Sequence, residues 1–433
     1  GIYLSAVDKS KVEQLFDLAV SGRTAQIGDD LSLDKKNQTV LWIIANGVLA
    51  TADPHSNFLN KEELKSLNKF LSYANYEESG FRTAPFYGDA VVIGIKPNGP
   101  AEAAGLKVGD ILKQLNGQSL QGKSLQDNIS KLAPNDPLML TIERNRKLTM
   151  IQVPRVSPTQ TDPVQVKRVI VKNKSILVLS FFVFGNNYAQ VIYDHLMSEL
   201  KKGPIDGLVI DLRNNGGGSQ EEGTKIAKLF LNPSQKLVWI NVNPKTGFIQ
   251  SNLEQGFDSD ISQVITQPIV VLENNSTASC AELLTSTLKV YGRAVVVGSK
   301  QTFGKGSAQQ VVQSIPNFVD FGDNVLKMTT QLFYMPDGST PQLNGVSADI
   351  EIMGANTTER LPEKDHKNPI FAKPLAQNSY TKYFVPTPIA SKNILLVQSQ
   401  ARQKNFDKSK LDSSQVLQEA ENILADWIDL GGK

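Results

Sequence analysis

The strongest constraint on the fold of this chain is a set of apolar runs between residues 175 and 298: SILVLSFFVF (175–184), IDGLVIDLR (205–213), KLVWINV (236–242), PIVVLEN (268–274) and AVVVG (294–298). A strand with one face in water alternates apolar and polar residues. These runs are continuous instead, which requires a sheet covered on both faces. Helical patterns separate them, in NYAQVIYDHLMSELKKG, SQEEGTKIAKLFL and CAELLTSTLKVYG, and the alternation of buried strands with helices predicts an α/β domain.

A chain of 433 residues exceeds one ordinary core. Upstream, residues 8–20 (DKSKVEQLFDLAV) and 38–51 (NQTVLWIIANGVLA) carry helical spacing, so the first ~75 residues read as all-helical. From Ala90 the pattern becomes strand (AVVIGIKP), short helix (AEAAGL), strand (DILKQLNGQ), helix (SLQDNISKLA) and two strands about an Asn145-Arg146 turn, which together make a compact α+β module. The Pro-rich stretch VPRVSPTQTDPVQ (153–165) links it to the α/β domain. Near the end, Val416, Ala420, Ile423, Leu424 and Trp427 form one apolar stripe, a docking face for this chain or a partner. The expected division is therefore a helical N-terminal region (1–79), an α+β module (80–154), an α/β core (155–355) and a partly helical C-terminal region (356–433).

Charge excludes some functions. With 45 basic against 43 acidic side chains the net charge is +2, which gives no electrostatic case for nucleic acid. No apolar run approaches the ~20 residues of a membrane span. The first residues, GIYLSAVDKS, show no signal-peptide pattern, and the single cysteine, Cys280, excludes an intrachain disulfide.

Three loops leave buried strands: DLRNNGGGS (211–219), ENNSTASCAE (273–282) and GSKQTFGKGSAQQ (298–310). Strand ends are where α/β sheets place their sites. Ser279 stands at a strand-to-helix junction beside the first helical N–H groups. It is equally an N-cap, because Glu282 three residues on completes a capping box. A serine nucleophile requires a base, and His55, His195 and His366 all lack the context of a hydrolase histidine. Lys305, flanked by glycines in TFGKGS, becomes a base if desolvation lowers its pKa; the other readings are a surface lysine or a phosphate-binding one, and P-loop spacing fails. The Cys280 amide and Gly216 to Gly218 supply backbone donors for an oxyanion.

Together TASCAE, TFGKGSAQQ and DLRNNGGG, with ADPHSNFLNKEE (52–63), GPAEAAGLKVGDILKQLNGQSL (99–120) and KMTTQLFYMPDGSTPQLNGVSADI (327–350), resemble the carboxyl-terminal processing proteases, also called tail-specific proteases. The resemblance spans roughly residues 40–350. It implies a PDZ-like domain before a crotonase-like α/β protease core, and a serine endopeptidase that needs no metal or cofactor. Ser279 matches the nucleophile, Lys305 the general base, Gln309 the lysine-orienting glutamine, and Gly217 with the Cys280 amide the oxyanion hole. A base that must start neutral implies activity rising towards alkaline pH. Implied substrates are unstructured chains with apolar C-terminal tails; an activating adaptor protein and a homo-oligomer are compatible with the resemblance, and the implied location is extracytoplasmic, in the bacterial periplasm or cell envelope.

The sequence also departs from the family. The PDZ carboxylate loop is a Gly-apolar-Gly-apolar run, where this chain has Gly80, Phe81 and Arg82 followed by an extra APFYGD, and Cys280 replaces a small residue. Gly80, Phe81 and Arg82 are the substrate-tail candidates. Two competing readings are a thiol enzyme using Cys280 with His55, and a catalytically silent PDZ-containing scaffold or adaptor.

Overall fold

The structure is a computed structural model. It describes residues 44–71, 80–86, 89–95, 99–120, 125–129, 132–133, 136–155, 164–233, 235, 239–242, 249–251, 263–315, 319–320, 324–355, 361–372, 375, 388–406 and 412–432. The helix expected over residues 8–20 lies outside them. The chain forms two compact units, one of residues 1–66, 308–330 and 366–370, the other of residues 67–307, 331–365 and 371–433.

The larger unit contains the predicted α/β sheet. Its elements in chain order are β1 (Val164–Val171), β2 (Lys174–Phe181), α1 (Tyr188–Lys201), β3 (Gly207–Asp211), α2 (Gln220–Lys228), β4 (Ile269–Glu273), α3 (Cys280–Val290), β5 (Ala294–Gly298), β6 (Ile350–Glu351), α4 (Lys392–Gln403) and α5 (Ser413–Asp429). The sheet runs β6-β5-β4-β3-β2-β1, parallel throughout except for β1, which is antiparallel to β2.

Successive residues of a strand face opposite sides of the sheet. Leu208, Ile210, Ile269, Val271, Ala294 and Val296 accordingly enter one core with residues of α1, α2 and α3. Val209, Val270, Leu272, Val295 and Val297 enter another with residues of α4 and α5. Continuous apolarity in the strands thus follows from two helical layers. The C-terminal stripe is the second of them: Val416, Ala420, Ile423 and Leu424 are fully buried on this chain's own sheet. Leu424 lies so close to Gly207 that a methyl added there would meet its side chain at 3.0 Å.

The same unit carries the α+β module. Its strands Phe81–Phe86, Asp89–Ile95, Ile111–Leu115, Leu138–Arg144 and Lys147–Val153 lie in that order across one sheet, and Val92, Leu112, Leu140 and Ile142 fill its core. The last two strands are joined at Asn145-Arg146, with φ of 52° and 61°, the left-handed pair of a tight hairpin turn.

In the smaller unit, residues 44–52 are helical as expected but none is buried. The N-terminal region is not all-helical. Asn57–Leu59 is a strand, antiparallel to Val325–Lys327. A single Asn reaching back from the helix sets its position: Phe58 N–H donates to Asn46 Oδ1 at 2.7 Å. Three residues are too few for periodicity to register.

If α5 is a structural layer of the sheet, Leu424→Ala leaves a cavity under β3. The expected loss is about 3 kcal/mol in urea unfolding; a loss under about 0.5 kcal/mol would mean that this helix does not hold the sheet.

Candidate active site

Because β3, β4 and β5 are adjacent and parallel, their carboxyl ends lie side by side, and the three loops noted in the sequence emerge together. Asparagine and threonine side chains join the first loop to the second. Asn214 N–H and the Asn274 amide exchange bonds, to Asn274 Oδ1 at 3.0 Å and to Asn214 Oδ1 at 2.9 Å. Thr277 Oγ1 donates to Leu212 O at 2.9 Å, and Ala278 N–H to Asn215 O at 2.9 Å.

Glu282 joins the second loop to the third. Its carboxylate is completely buried and accepts four bonds. Oε2 takes the N–H of Ser279 at 2.8 Å and that of Lys305 at 2.8 Å; Oε1 takes Thr302 Oγ1–H at 2.5 Å and Gly304 N–H at 2.7 Å. The backbone nitrogens of Ser279 and Lys305 are therefore no further apart than twice one hydrogen bond. Burial pushes the Glu282 carboxyl up to about 7, while Thr302 and the three backbone donors pull it back.

Ser279 is not an ordinary N-cap. It sits at φ 57° and ψ −118°, away from the extended backbone that a capping side chain uses, and only the Glu282 half of the reciprocal bonding is made with normal geometry. A non-glycine residue held in such a conformation at a strand-to-helix turn stores strain where its hydroxyl is presented.

Gly217 and Cys280 are brought together at Ser279. A methyl on Gly217 would lie 2.7 Å from Ser279 Cβ and 2.8 Å from Cys280 N, and Gly217 has φ 96°, so only glycine fits. The Cys280 amide is the first of α3 and has no acceptor within its helix. The Gly217 N–H is directed at Asn215 Oδ1, 2.9 Å away.

The Cys280 thiol is fully buried and donates to Ser219 O at 3.1 Å. Burial drives its pKa far above that of a free thiol. A buried thiol engaged with Ser219 O is poorly placed to act as a nucleophile, which speaks against the Cys280 and His55 reading. The sulfur fits because residue 223 has no side chain: a methyl on Gly223 would lie 2.2 Å from Sγ.

Lys305 is half-buried and its Nζ donates to Ser307 O at 2.7 Å. Gln309 belongs to the smaller unit, where its Nε2 donates to Thr329 Oγ1 at 3.1 Å. In the α+β module, Gly80 has φ 75° and Phe81 opens the edge strand Phe81–Phe86, to which Arg82 also belongs. The Phe81 side chain is buried in that module's own core. Among the described residues no cluster of His, Cys, Asp or Glu could hold a metal ion. Sequence reasoning missed Glu282 as the link between loops. Its signal was present, a glutamate in an otherwise apolar and hydroxyl helix face, but the capping box explained it away.

The model of "Peptidase family S41" matches residues 176–352, and that of "PDZ domain" matches residues 76–154. A "Probable CtpA-like serine protease" of Staphylococcus aureus is 31% identical over 306 residues, 69% of this chain and 57% of that protein; the chain thus spans a little over half the length of this relative. A "Carboxy-terminal-processing protease" of Bartonella bacilliformis is 26% identical over 336 residues, 76% of this chain and 72% of the relative. Among solved structures, the photosystem II D1 C-terminal processing protease shares the fold, with a TM-score of 0.54 at 24% identity, covering 80% of this chain and 89% of that one. Residues 176–352 thus carry a domain of peptidase family S41, and a PDZ domain at residues 76–154 lies ahead of it.

Proposed function

We propose that this chain is a serine endopeptidase that processes or degrades proteins from or near their C-terminus, with Ser279 as nucleophile and Lys305 as general base. The observation that carries the reading is the buried carboxylate that grips the backbone of both residues through one oxygen. Neutral Lys305 Nζ takes the proton of Ser279 Oγ, which attacks the scissile carbonyl. The oxyanion is held by the Cys280 amide and a backbone donor of the Gly217 turn. Collapse breaks the C–N bond, the leaving nitrogen takes the proton from Lys305, and water then hydrolyses the acyl ester.

Substrates of this reading are unstructured chains with apolar C-terminal tails. An edge strand of the PDZ module is suited to strand addition by an extended tail, with the main chain from Phe81 onwards as its partner. An activating adaptor and self-association belong to the same reading. The named relatives are bacterial, and we place the protein outside the cytoplasm, in the periplasm or cell envelope. No helix among the described residues is long and apolar enough to cross a membrane.

The decisive test is cleavage of an unstructured protein bearing an apolar C-terminal tail. Ser279→Ala and Lys305→Ala are expected to lose at least ~10³-fold in kcat, whereas Cys280→Ala stays active; a tail that stays equally intact with wild type and with Ser279→Ala would sink the proposal and favour a silent scaffold.

Glu282 gives a pH dependence of two signs. All four of its partners donate, so only the ionised carboxylate satisfies them, and activity is expected to fall as pH drops through about 7. Stability moves the other way. The folded pKa lies above the ordinary value of 4.5, so the contribution of this group is fully present below 4.5 and lost as pH rises through about 7. Glu282→Gln sets an NH₂ against backbone N–H donors: it is expected to destabilise by about 2 kcal/mol and to lower kcat at least ~10-fold at pH 8. Unchanged kcat in Glu282→Gln would show that the clamp does not position the dyad.

A further inference from the structure

Lys305 lies between two glycines, and the space they leave is filled by another segment of the larger unit, residues 342–345. A methyl on Gly304, which has φ 102°, would lie 2.9 Å from Leu343 O, and one on Gly306 would lie 2.7 Å from Gln342 N. The glycines thus admit a close backbone approach rather than loosening the loop. Leu343 N–H donates to Gly304 O at 2.8 Å, and Leu343 does so at φ 74°, a conformation rare for a side chain of its size. Strain of this kind persists only where the surroundings over-determine it.

Two buried polar side chains supply that determination. Gln342 is 2% exposed and Glu363 0%. Gly306 N–H donates to Gln342 Oε1 at 2.7 Å, and Gln342 Nε2 donates to Glu363 Oε1 at 3.2 Å. A backbone N–H only donates, so it fixes which end of the Gln342 amide faces the loop, and the NH₂ end must then meet an acceptor. Glu363 is that acceptor, and its own N–H donates to Phe303 O at 3.0 Å. The consecutive amides of Gly304, Lys305 and Gly306 are therefore all taken by side chains, the first two by Glu282 and the third by Gln342. Glu282 ties this stretch to the serine loop. Gln342 and Glu363 tie it to later parts of the chain, and Glu363 lies beyond the residues that the peptidase model matches.

We propose that Gln342 and Glu363 form a brace that sets the position of Lys305 for its proton transfer with Ser279. The inference deepens the proposed function and rests on its reading of Lys305 as the base. Both are positioning residues, acting on the reaction only through the backbone of the lysine loop. A pair that served stability alone would shift the melting temperature and leave kcat of the folded enzyme unchanged.

Exchanging the two side chains on the full chain separates these roles. Gln342→Glu sets two carboxylates against each other. Gln342→Glu combined with Glu363→Gln again offers Gly306 N–H an acceptor and again places an NH₂ group between the partners. Cleavage of fluorescein-labelled casein, an unstructured probe, is followed well below the melting temperature of every variant. The brace predicts that Gln342→Glu lowers kcat about tenfold or more with KM within about twofold, and that the double variant recovers to within about threefold of wild type. Gln342→Glu at full rate overturns the brace, as does a double variant no faster than the single one, or a loss confined to KM. Beside a slow Lys305→Ala, each of these outcomes leaves the dyad reading standing, whereas wild type no faster than Ser279→Ala sinks that reading and the brace with it. If Gln342→Glu loses its cooperative melting transition, Gln342→Ala, Glu363→Ala and the pair take its place. The brace then predicts that the second substitution adds little to the first, and additive losses in kcat overturn it.

Discussion

One buried carboxylate holds the site together. Glu282 lies on the first turn of α3 and takes donors from both the serine loop and the lysine loop, so neither loop can shift without unsatisfying a fully buried charge. A buried carboxylate that lost its donors would be costly in proportion to its desolvation. That penalty holds the serine and lysine loops in one arrangement, to which the Asn214 and Asn274 bonds add the first loop. The strands make this possible, since only adjacent parallel strands deliver successive loops to the same edge, and only a sheet clamped from both faces keeps those strands in register.

The outer clamp is easy to underestimate. Arg213, in the first site loop, is buried in a pair with Asp211, at 2.6 Å between Nη2 and Oδ2, and its Nη1 also donates to Ser413 O at 2.7 Å and to Ser413 Oγ at 2.9 Å, at the start of α5. Lys172, in the turn between the first two strands, pairs with Asp426 further along the same helix. Helix α5 therefore closes the apolar underside of the sheet and also ties down the loop that carries Gly217. The geometry of the candidate site at one edge of the sheet depends in this way on a helix beyond the residues that the peptidase model matches.

The parts of the fold legible from sequence were those governed by period and by turn chemistry. Continuous apolar runs gave the covered sheet, and Asn145-Arg146 gave a hairpin. The stripe from Val416 to Trp427 announced a buried face but not its target, because an apolar stripe carries no address; the structure places it on Val209, Val270 and Val297. The strand Asn57–Leu59 was invisible, being three residues long and defined by a partner almost 270 residues away. At the site, Ser279, Cys280 and Gly217 were legible as a strand-end constellation and do converge. Glu282 was misjudged for a physical reason: its capping bond to the Ser279 amide is real, but the other three acceptor positions serve a loop that no local pattern connects to it.

The backbone of Ser279 shows how these pieces depend on each other. A conformation near φ 57° and ψ −118° costs of order 1–3 kcal/mol for a residue with a side chain and persists only where its surroundings over-determine it. Here the Ser279 N–H is fixed by Glu282, and the space its Cβ needs exists because residue 217 has none. The following residue is fixed as well, since the Cys280 sulfur fills the space left by Gly223 and bonds Ser219 O, anchoring the peptide whose amide is the oxyanion donor of the proposed mechanism. The cysteine that departs from the family's small residue is thus compensated within its own neighbourhood. The only thiol in the chain is buried by packing, and the strain is concentrated at the residue proposed as nucleophile.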